Sequence, residues 1–423
     1  MSTRLHTWAC SPLRFREIAA HLARTEQADL VLSAPGYPAE TTPIIGICPV
    51  TELIFDGDTT PDDVREFCFG SPGLSMGYVS YDYGMILRNI PSSKPRHMSL
   101  GHLKKYAATI EYKASTGQAV LSCVDSGILD SVTGVIEQPV SIAAIFDAMP
   151  CTPPDISLDQ AAYEQGVRQT LEHIRSGLTY QLNLSTRLTW YCPGLDPLSL
   201  FLHLEHRHPA PFYAWYNSGD HRILSTSPER FIQVADGLVL SQPIKGTLRS
   251  EDDSPETIKR LTESPKERAE LSMIVDLIRN DISANCEYGS VRVDNHLSVF
   301  RVDNLLQMYS DVTGRLRSDR DCLDLFFDAF PGGSITGCPK RSSMAIIEEL
   351  EPHARGIYCG SMVVIRDRLN MDSSIAIRTA VFDTVSNTLD TYAGSGIVVD
   401  STPTSEYEET MAKAEKFFRT APQ

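Results

Sequence analysis

The residue whose type and setting most suggest chemistry is Lys245, within residues 243–247, which read Pro-Ile-Lys-Gly-Thr. Proline and glycine on either side restrict the backbone, so this lysine has little freedom to move. In an enclosed site such an amine could act as a nucleophile. Taken alone, however, the five residues favour a solvated loop lysine.

Acidic residues on two predicted helices form a second group of candidates. Glu270 borders an apolar stripe in the helix predicted for residues 265–281. Glu406 and Glu409 stand three apart in the last predicted helix, and Lys413 shares their face. Taken alone, Glu406, Glu409 and Lys413 favour a salt-bridged surface helix. One carboxylate from each helix, with water and a substrate carboxylate, would hold Mg²⁺.

Two glycine-rich segments and one arginine could bind an anion. Residues 331–340 precede a predicted helix, whose N-terminus favours negative charge. Their spacing lacks the Walker pattern, so no nucleotide site is predicted. Residues 393–397, Ala-Gly-Ser-Gly-Ile, leave a predicted strand and could cradle a carboxylate through backbone N–H groups. Arg378, near the end of another predicted strand, suits a bidentate carboxylate clamp, although a structural ion pair is equally consistent.

The elements that must position these residues predict the α+β class. Short apolar runs broken by proline and glycine predict strands within residues 1–150, and a linker begins at Thr152. Beyond it, amphipathic helices alternate with strands, starting with a helix capped by Ser157 and ended by Gly177. We therefore predict two regions, 1–150 and 151–423, intertwined in one structural unit with large antiparallel sheets.

Composition and charge exclude several classes of protein. The 423 residues are 42% hydrophobic and 22% charged, which is typical of a globular chain with a sizeable core. A net charge of −16 argues against binding to nucleic acid or to an anionic membrane surface. The sequence has no apolar signal segment at its N-terminus and no membrane-spanning run. We therefore expect a cytoplasmic protein whose ten cysteines are reduced.

Nine segments, in order along the chain, together resemble the chorismate-utilising enzymes. This family includes anthranilate synthase component I, aminodeoxychorismate synthase component I, isochorismate synthase and salicylate synthase. The resemblance implies a chorismate-utilising enzyme fold, with two large antiparallel β-sheets flanked by helices around a central active-site cleft. The segments are 180–185, 227–231, 243–247, 266–281, 331–340, 355–361, 377–380, 394–397 and 406–413, with a weaker match at 77–82.

The resemblance also implies roles for individual residues. Glu229 matches the general acid that protonates the departing 4-hydroxyl of chorismate, and Lys245 would attack C2 of the ring. Mg²⁺ is the implied cofactor, carried by Glu270 and Glu409 with Glu406 in support. The implied substrate-binding residues are Thr247, Ser334, Tyr358, Arg378, Gly394, Ser395, Gly396 and Lys413.

Three positions distinguish branches within this family. Isochorismate and salicylate synthases have a water-activating lysine at the position of Gln181. Anthranilate synthases usually have alanine at the position of Lys245, whereas aminodeoxychorismate synthases commonly have lysine. Gln307 stands where many members have a histidine tied to pyruvate elimination.

The resemblance therefore implies the aminodeoxychorismate synthase branch, which converts chorismate and ammonia to 4-amino-4-deoxychorismate for p-aminobenzoate and folate synthesis. A separate glutamine amidotransferase subunit would supply the ammonia, since the sequence shows no glutaminase segment. Two alternatives stay open: anthranilate synthase component I, and a non-catalytic chorismate-binding regulatory protein.

Overall fold

The computed structural model describes residues 4–38, 41–123, 126–137, 153–207, 210–250, 252, 254–302 and 305–418. The helices in this part of the chain are α1 (Pro12–Thr25), α2 (Pro61–Phe69), α3 (Tyr81–Leu87), α4 (Ser126–Glu137), α5 (Gln160–Arg175), α6 (Pro197–Arg207), α7 (Pro255–Thr262), α8 (Pro265–Ser283), α9 (Cys322–Ala329), α10 (Lys340–Leu350) and α11 (Pro403–Phe418). None of these helices is long and apolar enough to cross a membrane.

The strands described in the same residues pair only in antiparallel fashion. They are β1 (Arg4–Ala9), β2 (Asp29–Leu32), β3 (Ile44–Phe55), β4 (Ser75–Val79), β5 (Gly101–Lys113), β6 (Gln118–Cys123), β7 (Asp155–Ile156), β8 (Gln181–Tyr191), β9 (Phe212–Ser218), β10 (His221–Ser227), β11 (Arg230–Ala235), β12 (Leu238–Gln242), β13 (Ile244–Arg249), β14 (Arg292–Val302), β15 (Leu305–Arg315), β16 (Gly337–Cys338), β17 (Ser361–Asp367), β18 (Asn370–Ile375), β19 (Thr379–Asp383) and β20 (Thr388–Ile397).

Two branches of this strand network meet at β5, which pairs with both β3 and β4. From β3, sheet A continues through β2, β9, β10, β19 and β20 to β8. From β4, sheet B continues through β17, β18, β11 and β12 to β15, which also pairs with β13 and β14. The predicted α+β class with large antiparallel sheets is confirmed.

Helices flank the two sheets as predicted. α5 and α11 pack on β8 and β20 of sheet A, and α8 packs on β13 and β15 of sheet B. The apolar stripe of α5 is buried through Tyr163, Val167 and Leu171, because residues three and four apart share a helix face. Its N-cap is Asp159 rather than the predicted Ser157. The Ser157 hydroxyl instead accepts a hydrogen bond from the Arg187 backbone at 2.8 Å.

Strands from both predicted regions share the sheets. β2 pairs with β9, and β4 pairs with β17, so each sheet combines early and late parts of the chain. Residues 138–152, where the predicted boundary falls, lie outside the described part of the structure. The division into 1–150 and 151–423 stays a prediction.

The backbone conformation is distinctive at several candidate residues, and at Arg378 it differs from the predicted strand. Lys245 lies in β13, which continues past it because Gly246, with φ of 69°, forms a bulge. Arg378 lies between β18 and β19, where its φ of 50° bends the backbone. Residues 356–359 form turns before β17, and residues 393–397 form the last part of β20.

Candidate active site

Glu229 is buried between β10 and β11, with 6% of its surface exposed. The Ser334 hydroxyl donates a hydrogen bond to Oε1 of Glu229 at 3.0 Å, and the Ile375 N–H donates to its carbonyl at 3.0 Å. Burial raises the pKa of Glu229, although Lys245, the bond from Ser334 and Arg378 act in the opposite direction. A carboxyl group that retains its proton more readily is suited to act as a general acid.

Lys245 lies within electrostatic range of three of the predicted carboxylates. Its positive charge acts to lower the pKa of Glu229, Glu270 and Glu409, whereas burial acts to raise it at all three. These carboxylates come from the β10–β11 connection, from α8 and from α11. The structure therefore brings together the predicted nucleophile, the predicted acid and the two predicted metal ligands.

The close approach of α8 to β13 depends on Gly246, next to Lys245. A Cβ at Gly246 would lie 3.1 Å from Oε2 of Glu267 and 3.3 Å from Cδ1 of Leu261. Its positive φ would also strain any residue with a side chain. Glycine therefore allows the strand that carries Lys245 to lie against the helix that carries Glu270.

Glu270 of α8 and Glu409 of α11 are close enough to affect each other. Burial raises the pKa of Glu270, and the negative charge of Glu409 contributes to that rise. Burial acts in the same direction on Glu409, but Lys413, 2.8 Å from its Oε1, leaves the pKa of Glu409 below its usual value. A cation between the two carboxylates would relieve their repulsion.

These carboxylates fit Mg²⁺ better than a metal enclosed entirely by protein. Within the described residues, no group of three or more His, Cys, Asp or Glu side chains is arranged as a metal cage. Mg²⁺ commonly uses one or two protein carboxylates and completes its octahedron with water and substrate. Glu406 is buried, and its Oε1 accepts a hydrogen bond from the Ser401 hydroxyl at 2.6 Å, so it could only support the site.

Residues 392–397 of β20 have one backbone edge that no described strand covers. β8 pairs with β20 as far as Ile397, but β19 pairs with it only as far as Thr391. No described strand pairs with the other edge of residues 392–397. A Cβ at Gly394 would lie 2.5 Å from the Leu184 carbonyl oxygen, so glycine permits this close packing.

Contacts on either side of that segment fix its position. The Gly394 carbonyl accepts a hydrogen bond from Lys413 Nζ at 3.1 Å. The Ser395 hydroxyl lies 3.0 Å from the Tyr163 hydroxyl and within hydrogen-bond distance of the Glu406 carbonyl. The Ser395 side chain is thus engaged within the protein, which leaves the backbone as the available part of this segment.

Tyr358 and Arg378 are held by their surroundings. Tyr358 is 4% exposed, and its ring stacks on Tyr392 with centroids 5.2 Å apart and planes within 9°. The Arg378 carbonyl accepts hydrogen bonds from the Thr226 N–H and hydroxyl at 3.0 and 3.1 Å. Burial lowers the pKa of Arg378, while Tyr37 and Glu229 oppose that shift. A guanidinium whose charge acts on Glu229 suits the predicted carboxylate clamp.

The remaining predicted residues flank this group. Gln181 is buried at the start of β8, and its carbonyl accepts a hydrogen bond from the Thr179 hydroxyl at 2.8 Å. Gln307 is buried in β15, opposite Thr247 in β13. The side chain of Thr247 lies outside the described part of the structure.

A buried ion pair missed by the sequence analysis ties these segments together. Glu351 and Arg355 form a salt bridge at 2.7 Å, with both side chains about 1% exposed. Arg355 donates to the carbonyls of Ile335 and Asn183 at 3.1 and 2.6 Å, and Glu351 accepts from the Ser185 N–H at 2.7 Å. The pair therefore fastens the loop that carries Ser334 to β8. The only signal in the sequence is a Glu–Arg spacing of four, interrupted by proline.

Comparison with known proteins identifies the family. Residues 43–419 match the sequence model of the chorismate binding enzymes. This chain belongs to that family. The predicted resemblance to chorismate-utilising enzymes is therefore confirmed.

Two curated relatives of this chorismate binding enzyme carry different names. It is 41% identical over 282 residues to aminodeoxychorismate synthase component 1 of Klebsiella aerogenes, covering 66% of this chain and 61% of that protein. It is 38% identical over 260 residues to anthranilate synthase component 1 of Aquifex aeolicus, covering 61% of this chain and 52% of that protein. The chain thus spans between half and two thirds of the length of these relatives. Their names support both the aminodeoxychorismate synthase branch and the anthranilate synthase branch.

A solved structure supports the same architecture. This chorismate binding enzyme matches anthranilate synthase component I of Streptococcus pneumoniae with a TM-score of 0.79 and 27% identity. The match covers 92% of this chain and 94% of that protein. The predicted chorismate-utilising enzyme fold is confirmed.

Proposed function

We propose that this chain is an aminodeoxychorismate synthase component I, which converts chorismate and ammonia to 4-amino-4-deoxychorismate. The observation that carries the proposal is the electrostatic proximity of Lys245 to Glu229, Glu270 and Glu409. A nucleophilic amine, a proton donor and two potential metal ligands are the groups that this amination requires. The product would serve p-aminobenzoate and folate synthesis, and the reaction would be cytoplasmic, as expected from the sequence.

The first half of the reaction replaces the 4-hydroxyl by a bond to the enzyme. Neutral Lys245 Nζ attacks C2, the two ring double bonds shift, and the C4–O bond breaks. Glu229 gives its proton to the departing oxygen, which leaves as water, since hydroxide is a poor leaving group. Ser334, which donates to Oε1 of Glu229, holds the carboxyl group towards the ring.

The second half of the reaction releases Lys245 from the ring. Ammonia forms a bond to C4, the double bonds shift back, and the bond between C2 and Lys245 breaks, releasing the amine. The Glu229 carboxylate takes the proton that the new ammonium group loses. Two successive attacks across the ring put nitrogen at C4, whereas a single direct attack by ammonia at C2 would lead to the ortho product.

Binding of chorismate would use both of its carboxylates. Mg²⁺ held by Glu270 and Glu409 would fix the ring carboxylate and stabilise its negative charge. Arg378, Tyr358 and the free backbone edge at residues 394–396 would hold the enolpyruvyl carboxylate. Both relatives are named component 1, which supports a second component. A glutamine amidotransferase in that role would be the source of ammonia.

Product analysis tests the proposal through Lys245. With chorismate, Mg²⁺ and ammonium, we expect mass and regiochemical analysis to show 4-amino-4-deoxychorismate. Lys245→Ala should lower the rate of its formation by about 10²-fold or more, because the first attack is lost. Chorismate binding should be nearly unchanged. Lys259→Ala, an exposed lysine paired with Glu263, is the matched control.

Three outcomes would count against this assignment. Anthranilate as the product of the unmodified protein would establish the alternative branch. Unchanged formation of the para product by Lys245→Ala would exclude this lysine as the nucleophile. Chorismate binding without turnover in the unmodified protein would favour the regulatory alternative.

Metal dependence gives a second test. Removing Mg²⁺ with a chelator should abolish amination, and adding it back should restore the activity. Glu270→Gln should raise the Mg²⁺ concentration for half-maximal rate at least about tenfold, since even outer-shell changes cost 10- to 100-fold in affinity. Glu263→Gln, at the exposed end of α7, should leave the titration unchanged. If the rates of the two variants depend on Mg²⁺ concentration in the same way, Glu270 is not a metal ligand.

A further inference from the structure

A row of side-chain hydrogen bonds crosses sheet B beside the segments that carry Glu229 and Lys245. At its centre, Nη1 of Arg230 in β11 donates to Oε1 of Gln242 in β12 at 2.7 Å. Nε2 of Gln242 donates to Oδ1 of Asp311 in β15 at 2.8 Å. We call this set the polar row. Its members, one from each of five neighbouring strands, are Asp372, Arg230, Gln242, Asp311 and Asn295.

Both ends of the polar row are also hydrogen-bonded. Nε and Nη2 of Arg230 donate to the two carboxylate oxygens of Asp372 at 3.0 and 3.1 Å. Nδ2 of Asn295 donates to Oδ2 of Asp311 at 2.7 Å. Arg230 is 2% exposed and Gln242 is 8% exposed, so the central bond is shielded from water. Hydrogen bonds in such surroundings are stronger than in water and specify one arrangement of their partners.

The polar row lies where the main-chain pairing of sheet B is irregular. β12 and β13 pair with β15 in the same register, although Pro243, which has no N–H to donate, separates them. By that register Gln242 lies opposite Asp311, so their side chains join the strands beside the interruption. The registers of β11 and β14 shift at the same level, after Arg230 and after Asp294. Side-chain bonds therefore hold the strands together where the ladder is irregular.

The side chains of the polar row point away from the candidate site. Glu229 directly precedes Arg230, and Lys245 follows Gln242 by three residues. Neighbouring residues of an extended chain point to opposite faces, and alternate residues share a face. One small cavity accordingly has alternate residues of these two segments in its lining, namely Pro228, Arg230, Gln242 and Ile244. The polar row can therefore act on Glu229 and Lys245 through the backbone.

We propose that Arg230 and Gln242 are positioning residues, which set the place of Lys245 relative to Glu229 through the polar row. The inference rests on the proposed amination of chorismate. Arg230 fixes the backbone next to Glu229, and Gln242 fixes the strand that leads to Lys245. Attack at C2 and protonation of the 4-hydroxyl take place on one ring, so the amine and the carboxyl group must be placed together. A displacement of about 1 Å between such groups lowers the rate by about 10²-fold.

Gln242→Met tests the proposal, because methionine has a similar length but makes neither bond of the glutamine amide. Arg230 keeps Asp372 as its countercharge, and Asp311 keeps its bond from Asn295. With ammonium chloride as the nitrogen source, we expect kcat for the para product to fall at least about tenfold. The Kd for chorismate should stay within about twofold.

The ratio of the two products distinguishes positioning from a general loss of structure. When Lys245 is displaced, ammonia can itself bond to C2 while the double bonds shift and the 4-hydroxyl leaves as water with the proton of Glu229. The ortho fraction should therefore rise in Gln242→Met, whereas a loss of folded protein would lower both products equally. Gln233→Met is the matched control, since the Gln233 amide contacts only the Asp372 end of the row, at 3.3 Å. It should change neither kcat nor the ratio.

Asp311→Ala provides an independent variant if Gln242→Met fails to fold. It removes the acceptor of two bonds of the polar row, so kcat should again fall and the ortho fraction should rise. In the double variant, the loss of kcat should be close to that of the more severe single variant, because residues in one hydrogen-bond network are not additive. Independent effects that multiply would show that the two residues do not act as a unit.

The outcomes separate this inference from the proposed function. Wild-type kcat and product ratio in folded Gln242→Met would overturn the positioning role. An ortho product from the unmodified protein would overturn the proposed function, and the polar row is then judged from the pH dependence of kcat, since Glu229 still protonates the 4-hydroxyl. Lys245 and Arg378 act to lower the pKa of Glu229. Displacement of Lys245 should move the decrease in kcat to higher pH in Gln242→Met, and an unchanged profile would again exclude the role.

Discussion

Replacing Glu229 by Gln should lower kcat by about 10²–10⁴-fold, the usual contribution of a general acid. Glutamine has nearly the same size and can still accept the hydrogen bond from Ser334. It cannot protonate the departing 4-hydroxyl, so the loss should appear in kcat, while the KM for chorismate changes little. Steady-state kinetics with ammonium measure both values. Glu256→Gln, at the start of α7, serves as the control.

The pH dependence of kcat distinguishes a proton donor from a purely structural residue. Glu229 acts in its protonated form, so kcat should decrease as pH rises through its pKa, which burial raises. Glu229→Gln should lose this limb of the profile. Lys245 lowers the pKa of Glu229, so the residual activity of Lys245→Ala should persist to higher pH. A Glu229→Gln enzyme with near wild-type kcat and the same limb would show that another group supplies the proton.

Breaking the buried pair of Glu351 and Arg355 should have the largest effect on stability. Glu351→Gln leaves the Arg355 guanidinium without a countercharge at a site where both side chains are about 1% exposed. Removing one partner of such a pair typically costs about 3–5 kcal/mol. The free energy of unfolding from denaturant titration should fall by that amount. A loss below about 1 kcal/mol would mean that water or a neighbouring group compensates the charge.

A double variant separates the energetic role of the pair from its positioning role. Glu351→Leu combined with Arg355→Met removes both charges, and stability should recover towards the wild-type value. The activity should not recover, because the carbonyls of Ile335 and Asn183 lose their donor and the loop that carries Ser334 loses its anchor. Glu351→Gln, by contrast, should lose both stability and activity. Full activity in a stable double variant would show that the pair does not position the site.

The sequence predicted the helices of the candidate site well because their signals are local. The 3.6-residue periodicity of α8 and α11 requires only neighbouring residues, and it correctly set Glu270 and Glu409 on helices. The motifs also identified Glu229 and Lys245 as members of one family site. The chain's membership of that family is confirmed, whereas the roles of individual residues stay predictions.

The contacts between these residues could not be predicted, because they join distant parts of the chain. The hydrogen bond from Ser334 to Glu229 spans 105 positions, and that from Ser185 to Glu351 spans 166. The sequence around Arg378 predicts a strand, but hydrogen bonds from Thr226 to its carbonyl hold a left-handed backbone there. Tertiary hydrogen bonds thus override the local preference.

The same contrast between local signals and long-range contacts applies to the fold. Alternating and apolar runs predicted strands, and the resemblance to a family implied two antiparallel sheets. Neither indicated that, among the described strands, β5 joins sheet A to sheet B through pairing with β3 and β4. Pairing partners depend on long-range packing of side chains, which no short window of sequence records.

The pairing of β4 with both β5 and β17 has a consequence for how the protein folds during its synthesis. β4 is made early, but its second partner, β17, follows much later in the chain. Contacts between such distant segments give a high contact order, and loop closure makes their formation slow. Until then, β4 presents an unpaired edge to other nascent chains. Folding yield should therefore depend on chaperones that cover this edge until β17 has emerged from the ribosome.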